Sequence, residues 1–331
     1  MAHQITNADT VAVYRSTAWH GLATPLHTFP SPAEARAIVA PWEAIASTDL
    51  TVTLPNGEAV QTDEFKCLVR SDTGAILGMH SRKYSPVSVS DFFELGYEFG
   101  SADVVKADSA GTLRGGKVLF LSLKGDTVEI GSRGDLSTGY LLLAQSFDGT
   151  MVLRGDCAME RTVCANTLMG NQLASRCGFS LRHTRNMGER MADVRKVIAK
   201  WKSGTDEVVA VANRYAAAPV RTRAEVEEYF LRALETVYGV MPSPNTKDKR
   251  EQSTLKWAAE SLAEIGDYWN REESQFGANW WVAANAVTAY LQHSENASRL
   301  GVNTSERTYA DLYGAQGQRK GAVMALAGSY I

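Results

Sequence analysis

The chain has 331 residues, of which 44% are apolar and 21% charged, and its formal net charge is −3. That composition supports a sizeable core in one large domain or two ordinary ones and excludes wholesale disorder. No apolar run reaches the roughly 18 residues that span a bilayer, and no basic start leads into an apolar N-terminal stretch. No signal peptide is therefore read, and a cytoplasmic location is expected.

Residues 1–47 read as an irregular segment, broken by Pro25 and Pro30, with one short helix at 33–39. Ser31 as N-cap and Pro32 at the first helical position start that helix, and Pro41 stops it. From 48 to 80 the pattern becomes strand-like. Segments 49–54 and 59–62 flank the turn Pro55-Asn56-Gly57, and 65–70 and 75–79 flank Ser71-Asp72-Thr73-Gly74. Ser90 is read as the cap of a helix through Tyr97. A second β region follows, with strands at 102–106 and 117–123 around a glycine-rich turn (Gly111, Gly115, Gly116) and a short strand at 127–130. Segments 140–146 and 150–154 form a hairpin around Asp148-Gly149. A helix is expected from Cys157 or Glu160 to Leu173. The fold class is α+β: a hairpin-rich antiparallel sheet domain with packed helices over 48–183.

Over 184–300 the period becomes helical, with Met187, Met191, Val194, Val197, Ile198 and Trp201 at three- and four-residue steps. One helix runs to about Tyr215. Thr222 caps the next, 223–238, with Glu225 completing a capping box. Helices at about 246–270 and 278–297 follow. Residues 301–331, polar and glycine-rich, read as a flexible tail.

Charge is unevenly spread. Residues 151–203 carry ten Lys/Arg against four Asp/Glu, which is +6, so the remainder carries −9. A polyanion responds to that local field rather than to the net charge. Arg182, His183 and Arg185 lie in a link, where side chains are free to face a ligand. Arg154 ends a hairpin strand. Arg114 and Lys117 flank glycines that would let the backbone approach a phosphate closely. Tyr84, after Arg82 and Lys83, is a candidate for stacking on a base. Arg161 either bridges a phosphate or pairs with Glu160 or Asp156. Arg190, Arg195, Lys196, Lys200 and Lys202 read as a solvated helix face, and Trp280, Trp281 and Tyr290 as core. No phosphate loop, H-E-x-x-H or G-x-S-x-G occurs, and neither a catalytic residue, a cofactor nor a metal is expected. The four cysteines (Cys67, Cys157, Cys164, Cys177) form no C-x-x-C and read as buried thiols.

Several strings carry a resemblance. They are W-H-G-L at 19–22, R-S-D-T-G-A-I-L-G at 70–78 leading to R-K-Y-S-P-V at 82–87, and S-F-D-G-T at 146–150. R-T-V-C-A-N-T-L at 161–168 and N-A-V-T-A-Y-L-Q-H at 285–293 complete the set. In this order they resemble the phage/plasmid-like family built on domain of unknown function 932. A more distant, fold-level resemblance reaches the phage single-strand annealing proteins of the Red-beta and Erf type. That resemblance implies a single-stranded DNA-binding, strand-annealing recombination protein without catalytic chemistry. Its implied partners are single-stranded DNA and further copies of itself in a ring or filament, in the host cytoplasm and without a membrane. The alternatives are a phage structural or scaffolding protein and, third, a metal-dependent nuclease. The residues expected to touch nucleic acid are Arg82, Lys83, Tyr84, Arg114, Lys117, Arg154, Arg161, Arg182, His183 and Arg185.

Overall fold

The computed structural model describes residues 6–14, 23–28, 30–100, 106–161, 167–169, 178–184, 186–187, 189–190, 201–294, 296–297 and 315–331. The chain divides into two compact units. One comprises Met1–Gly125, Tyr140–Asp156 and Gly178–Trp201, the other Asp126–Gly139, Cys157–Cys177 and Lys202–Ile331. The α+β class holds, with helices concentrated in the C-terminal region.

The main sheet uses β1 (Val11–Tyr14), β2 (Thr24–Leu26), β8 (Lys106–Leu113), β9 (Val118–Ile130), β10 (Asp135–Ser146), β11 (Leu153–Arg161), β12 (Thr167–Met169) and β13 (Phe179–Leu181). Its order is β12-β11-β10-β9-β8-β1-β2, with β13 also paired to β11. A second sheet has the order β3 (Ala44–Ser47), β6 (Phe65–Arg70), β7 (Ile76–Ser81), and β4 (Leu50–Thr53) pairs with β5 (Ala59–Thr62) in a separate ribbon. Two helices, α1 (Pro32–Val39) and α2 (Val89–Gly100), complete the first unit. Its core gathers Leu68, Leu77, Phe92, Phe93, Leu119, Leu121, Leu143 and Phe147.

Local chemistry explains the helix starts. Ser31 accepts from the Glu34 amide while Glu34 accepts from the Ser31 amide, a reciprocal capping box with Pro32 in the first turn. The start of α2 is held by Ser88, which accepts from the Asp91 amide, rather than by Ser90 as expected. Glu43 adds a carboxylate there, accepting from the Val89 and Ser90 amides at 2.9 and 3.0 Å.

Sequence expectations change at three places in the main sheet. The N-terminal segment is not irregular throughout, because β1 joins the sheet against β8 and buries Val11, Ala12 and Val13. The helix expected from Cys157 begins instead as strand β11. Cys157, Ala158 and Met159 are consecutively buried, and a strand covered on both faces loses the alternation that marks a strand. The rest of that expected helix lies outside the described residues, apart from the three of β12. The short strand at 127–130 is the end of the 13-residue β9.

The second unit holds the ends of β9, β10 and β11 with β12, and the helices α3 (Trp201–Ala217), α4 (Arg223–Tyr238), α5 (Lys249–Phe276), α6 (Trp280–His293) and α7 (Ala315–Gly328). Thr222 caps α4 by accepting from the Glu225 amide, but Glu225 turns to the Arg221 amide, so the box is not reciprocal. Trp280, Trp281 and Tyr290 are core, as expected, and Trp281 donates its indole N–H to buried Asp135 at 2.9 Å. The expected flexible tail is helical from 315 to 328. Val323, Met324 and Ala327 are buried there, and the Tyr215 and Tyr229 hydroxyls donate to the Met324 and Val323 carbonyls. The glycines and polar residues of that stretch masked a docking face. Among the described residues no helix is long and apolar enough to cross a membrane.

Candidate nucleic-acid interface

The turn at 146–151, between β10 and β11, is the centre of the site. Asp148 Oδ1 accepts from the Thr150 amide at 2.9 Å and its hydroxyl at 2.5 Å, and Gly149 takes φ +78°. Ser146 Oγ accepts from the Met151 amide at 2.8 Å and donates to the Met151 carbonyl at 3.1 Å. The turn is thus closed by its own side chains, which is why S-F-D-G-T needs those residue types.

Four segments distant in sequence converge on this turn. From β7, His80 Nε2 lies 2.6 Å from the Phe147 carbonyl. A carbonyl only accepts, so this nitrogen carries the proton. Gly78 makes the approach feasible, because a Cβ there would sit 2.4 Å from the Phe147 oxygen. From the next segment, Tyr84 donates its hydroxyl to the Ser146 carbonyl at 3.1 Å. The turn at 114–117 contributes two contacts. The Phe147 amide donates to the Lys117 carbonyl at 2.7 Å, and Arg114 Nη1 donates to Thr150 Oγ1 at 3.2 Å, with Asp148 Oδ2 at 3.6 Å. His183 closes the cluster, its ring 5.2 Å from that of Tyr84.

These contacts set the electrostatics. Burial opposes the Asp148 charge, but hydrogen bonds from Thr150 and Ser146 and the Arg114 charge outweigh it and hold this carboxyl below the usual range. Burial raises the Tyr84 hydroxyl, with the Asp148 charge adding to it, so Tyr84 stays protonated as a donor. His183 is only 8% exposed. Burial pushes its pKa down to about 4; the His80 charge adds to that and the Met151 backbone offsets part of it. Neither His183 ring nitrogen makes a hydrogen bond of ordinary geometry among the described residues.

The expected site residues separate accordingly. Tyr84, Arg114 and His183 come together at the turn, with Lys117 reaching it through its backbone carbonyl, and Arg82, Lys83 and Arg182 are their neighbours in sequence, but three of the expected roles change. Tyr84 is no open platform for a base, since His80 stacks on its ring at 3.8 Å and 7°. His183 lies buried against Tyr84 rather than facing solvent from a free link. The glycine-rich turn offers no phosphate cradle, because Asp9 already accepts from the Gly115 and Gly116 amides at 2.8 and 2.7 Å. Arg114 itself takes a left-handed backbone, φ 57°, in that turn.

Arg154 is engaged within the protein. Its Nε donates to Asp156 Oδ2 at 2.9 Å, and Nη2 reaches the same oxygen. Burial nevertheless raises the Asp156 pKa, more than the Arg154 charge lowers it. Exposed Arg82 lies 3.7 Å from Asp63. Lys83, Lys117 and Arg182 form no ion pair with any described residue. Arg190 is not merely a solvated helix residue, because its Nη1 donates to the Arg182 carbonyl at 3.1 Å and to Thr184 Oγ1 at 3.2 Å. The Arg161 side chain and all of Arg185 lie outside the described residues, as do Cys164 and Cys177; Cys67 and Cys157 are buried thiols. His80, Ser146 and Asp9 were not anticipated as part of the site. No spacing signal could have found them, because their partners lie 67, 62 and 106 positions away. Among the described residues no three His, Cys, Asp or Glu side chains gather as a metal cluster.

The family model for domain of unknown function 932 matches residues 76–313, a span that contains the whole 146–151 turn and its partners His80, Tyr84, Arg114 and His183. The chain belongs to that family. Asp9, which braces the 114–117 turn, lies outside the matched span. Comparison with curated proteins and with solved structures found no match.

Proposed function

We propose that the chain binds single-stranded DNA without sequence preference and promotes pairing of complementary strands. The contact surface in this reading carries Arg82, Lys83, Arg114, Lys117 and Arg182. One observation supports it: the hydrogen bonds and ring contacts of the 146–151 turn bring the stretches 82–84, 114–117 and 182–183, which carry these cations, to one turn, where Arg114 lies 3.6 Å from Asp148. Annealing requires a surface that holds phosphates while the bases stay free to pair, and this chemistry needs neither a nucleophile nor a metal. In this reading Tyr84, His80 and His183 are positioning residues. They brace the segments that carry the cations and do not stack on bases. The phage-type recombination setting belongs to the same proposal and rests on the resemblance of the motifs.

A strand-pairing assay with two complementary labelled oligonucleotides tests the reading. The chain is expected to speed duplex formation at low salt, and the Lys83→Ala/Lys117→Ala double variant to do so less. Cleavage of either strand, or pairing no faster than without protein, would overturn it.

A further inference from the structure

The first unit leaves large apolar side chains uncovered on its β3–β6–β7 sheet and its β4–β5 ribbon. Among the described residues twelve large apolar side chains are exposed, and seven of them fall between 45 and 79: Ile45, Val52, Leu54, Val60, Phe65, Ile76 and Met79. Met79 is 66% and Ile76 64% exposed. Summed over the seven, the exposed area is on the order of 600 Å².

The β4–β5 ribbon is the least supported part. Val52 stands opposite Val60, and Leu50 and Leu54 lie on the same face by strand alternation. Val52 is still 50% exposed. A two-stranded ribbon alone is at best marginally stable in water. One edge of β4 pairs with β5, and no described strand pairs with the other.

The sequence of that edge identifies its partner. Residues 50–54 read Leu-Thr-Val-Thr-Leu, a palindrome about Val52. The Leu54 amide donates to the Glu58 carbonyl, on the β5 side. By alternation Leu50 and Val52 also turn their backbone groups toward β5, and Thr51 and Thr53 turn theirs to the open edge. We propose that β4 is a dimerisation strand, pairing antiparallel with β4 of a second copy about a twofold axis through Val52. That register sets Leu50 against Leu54, Thr51 against Thr53 in hydrogen-bonded pairs, and Val52 against its own copy. It builds a four-stranded sheet whose two central strands carry Leu50, Val52 and Leu54 on one face. Such an isologous contact closes at two copies, unlike a ring or filament, and it is independent of the nucleic-acid reading.

Cysteine cross-linking of the full chain tests the register. In a non-hydrogen-bonded antiparallel pair the Cα atoms lie about 4.5 Å apart, within disulfide range. Val52→Cys is therefore expected to give a covalent dimer on mild oxidation, beyond any formed by the parent chain, whereas Thr51→Cys is not. Light scattering is expected to show a dimer for the parent at micromolar concentration. For Val52→Lys, which sets two like charges face to face, dissociation should be easier by at least about tenfold, with the melting curve of the monomeric fold retained. A parent chain that stays monomeric overturns the proposal. So does a Val52→Lys variant that associates like the parent, or a Val52→Cys dimer that does not cross-link.

Discussion

Replacing His183 with Phe should flatten the pH dependence of stability on the acid side of neutrality. The folded chain holds the His183 ring neutral, with its pKa pushed down to about 4 by burial. In the unfolded chain the same ring titrates near 6.5. Between these values the unfolded state binds the extra proton, so stability rises with pH. The contribution is fully present above pH ~6.5 and is lost as pH falls toward ~4. From pH 7 to about 4.5 the loss is on the order of 2–3 kcal/mol. Asp156 acts in the opposite sense, because burial raises its carboxyl and the folded state takes up its proton first. The difference between parent and variant therefore isolates His183. Phe retains an aromatic ring beside Tyr84 and removes two ring nitrogens that make no hydrogen bond of ordinary geometry among the described residues, so stability at pH 7 should change by less than about 1 kcal/mol. Urea unfolding at both pH values measures this. Parallel pH curves for the two chains would refute the placement of a buried, neutral His183.

Arg154→Ala should lower the melting temperature, by about 2–3 kcal/mol of stability, because it strips a buried carboxylate of its cation, and adding Asp156→Asn should restore most of it. The salt dependence of DNA binding should not change; a weaker slope with an unchanged melting temperature would make Arg154 a phosphate contact. Gly78→Ala should destabilise the chain by roughly 2 kcal/mol or more, since the new Cβ meets the Phe147 oxygen at 2.4 Å and the Asp148 Cα at 3.0 Å, both backbone. It should also weaken DNA binding by displacing the turn, whereas a melting curve like the parent's would show that the approach is looser than described. Thr222→Ala should cost about 1 kcal/mol in thermal unfolding through the lost cap of α4.

Much of the fold was legible where local chemistry decides it. Ser31 and Pro32 announce α1, and Asn56-Gly57 and Asp148-Gly149 mark turns that the structure contains, with both glycines at positive φ. Helix α4 starts at its Thr222 cap, and α5 and α6 overlap the helices expected at about 246–270 and 278–297. What stayed hidden depends on distant partners. Val11–Tyr14 is a strand because β8 is beside it, and Cys157–Met159 is extended although its small residues also suit a helix. The site was half legible for the same reason. Its cations stand out by type, and Asp148 was visible only as a turn former. That Asp9 fills the glycine turn, that Asp156 holds Arg154 and that His80 covers Tyr84 are tertiary facts, and each redirects a residue that looked open to a ligand.

The most direct test of the nucleic-acid reading is fluorescence anisotropy with a labelled single strand of mixed sequence, followed across a salt series. Log affinity should fall linearly with log salt, alike for unrelated sequences, and Lys83→Ala, Lys117→Ala and Arg182→Ala should each reduce the slope by roughly 0.7. A flat salt response, no binding at low salt, or slopes unchanged in all three variants would contradict the account.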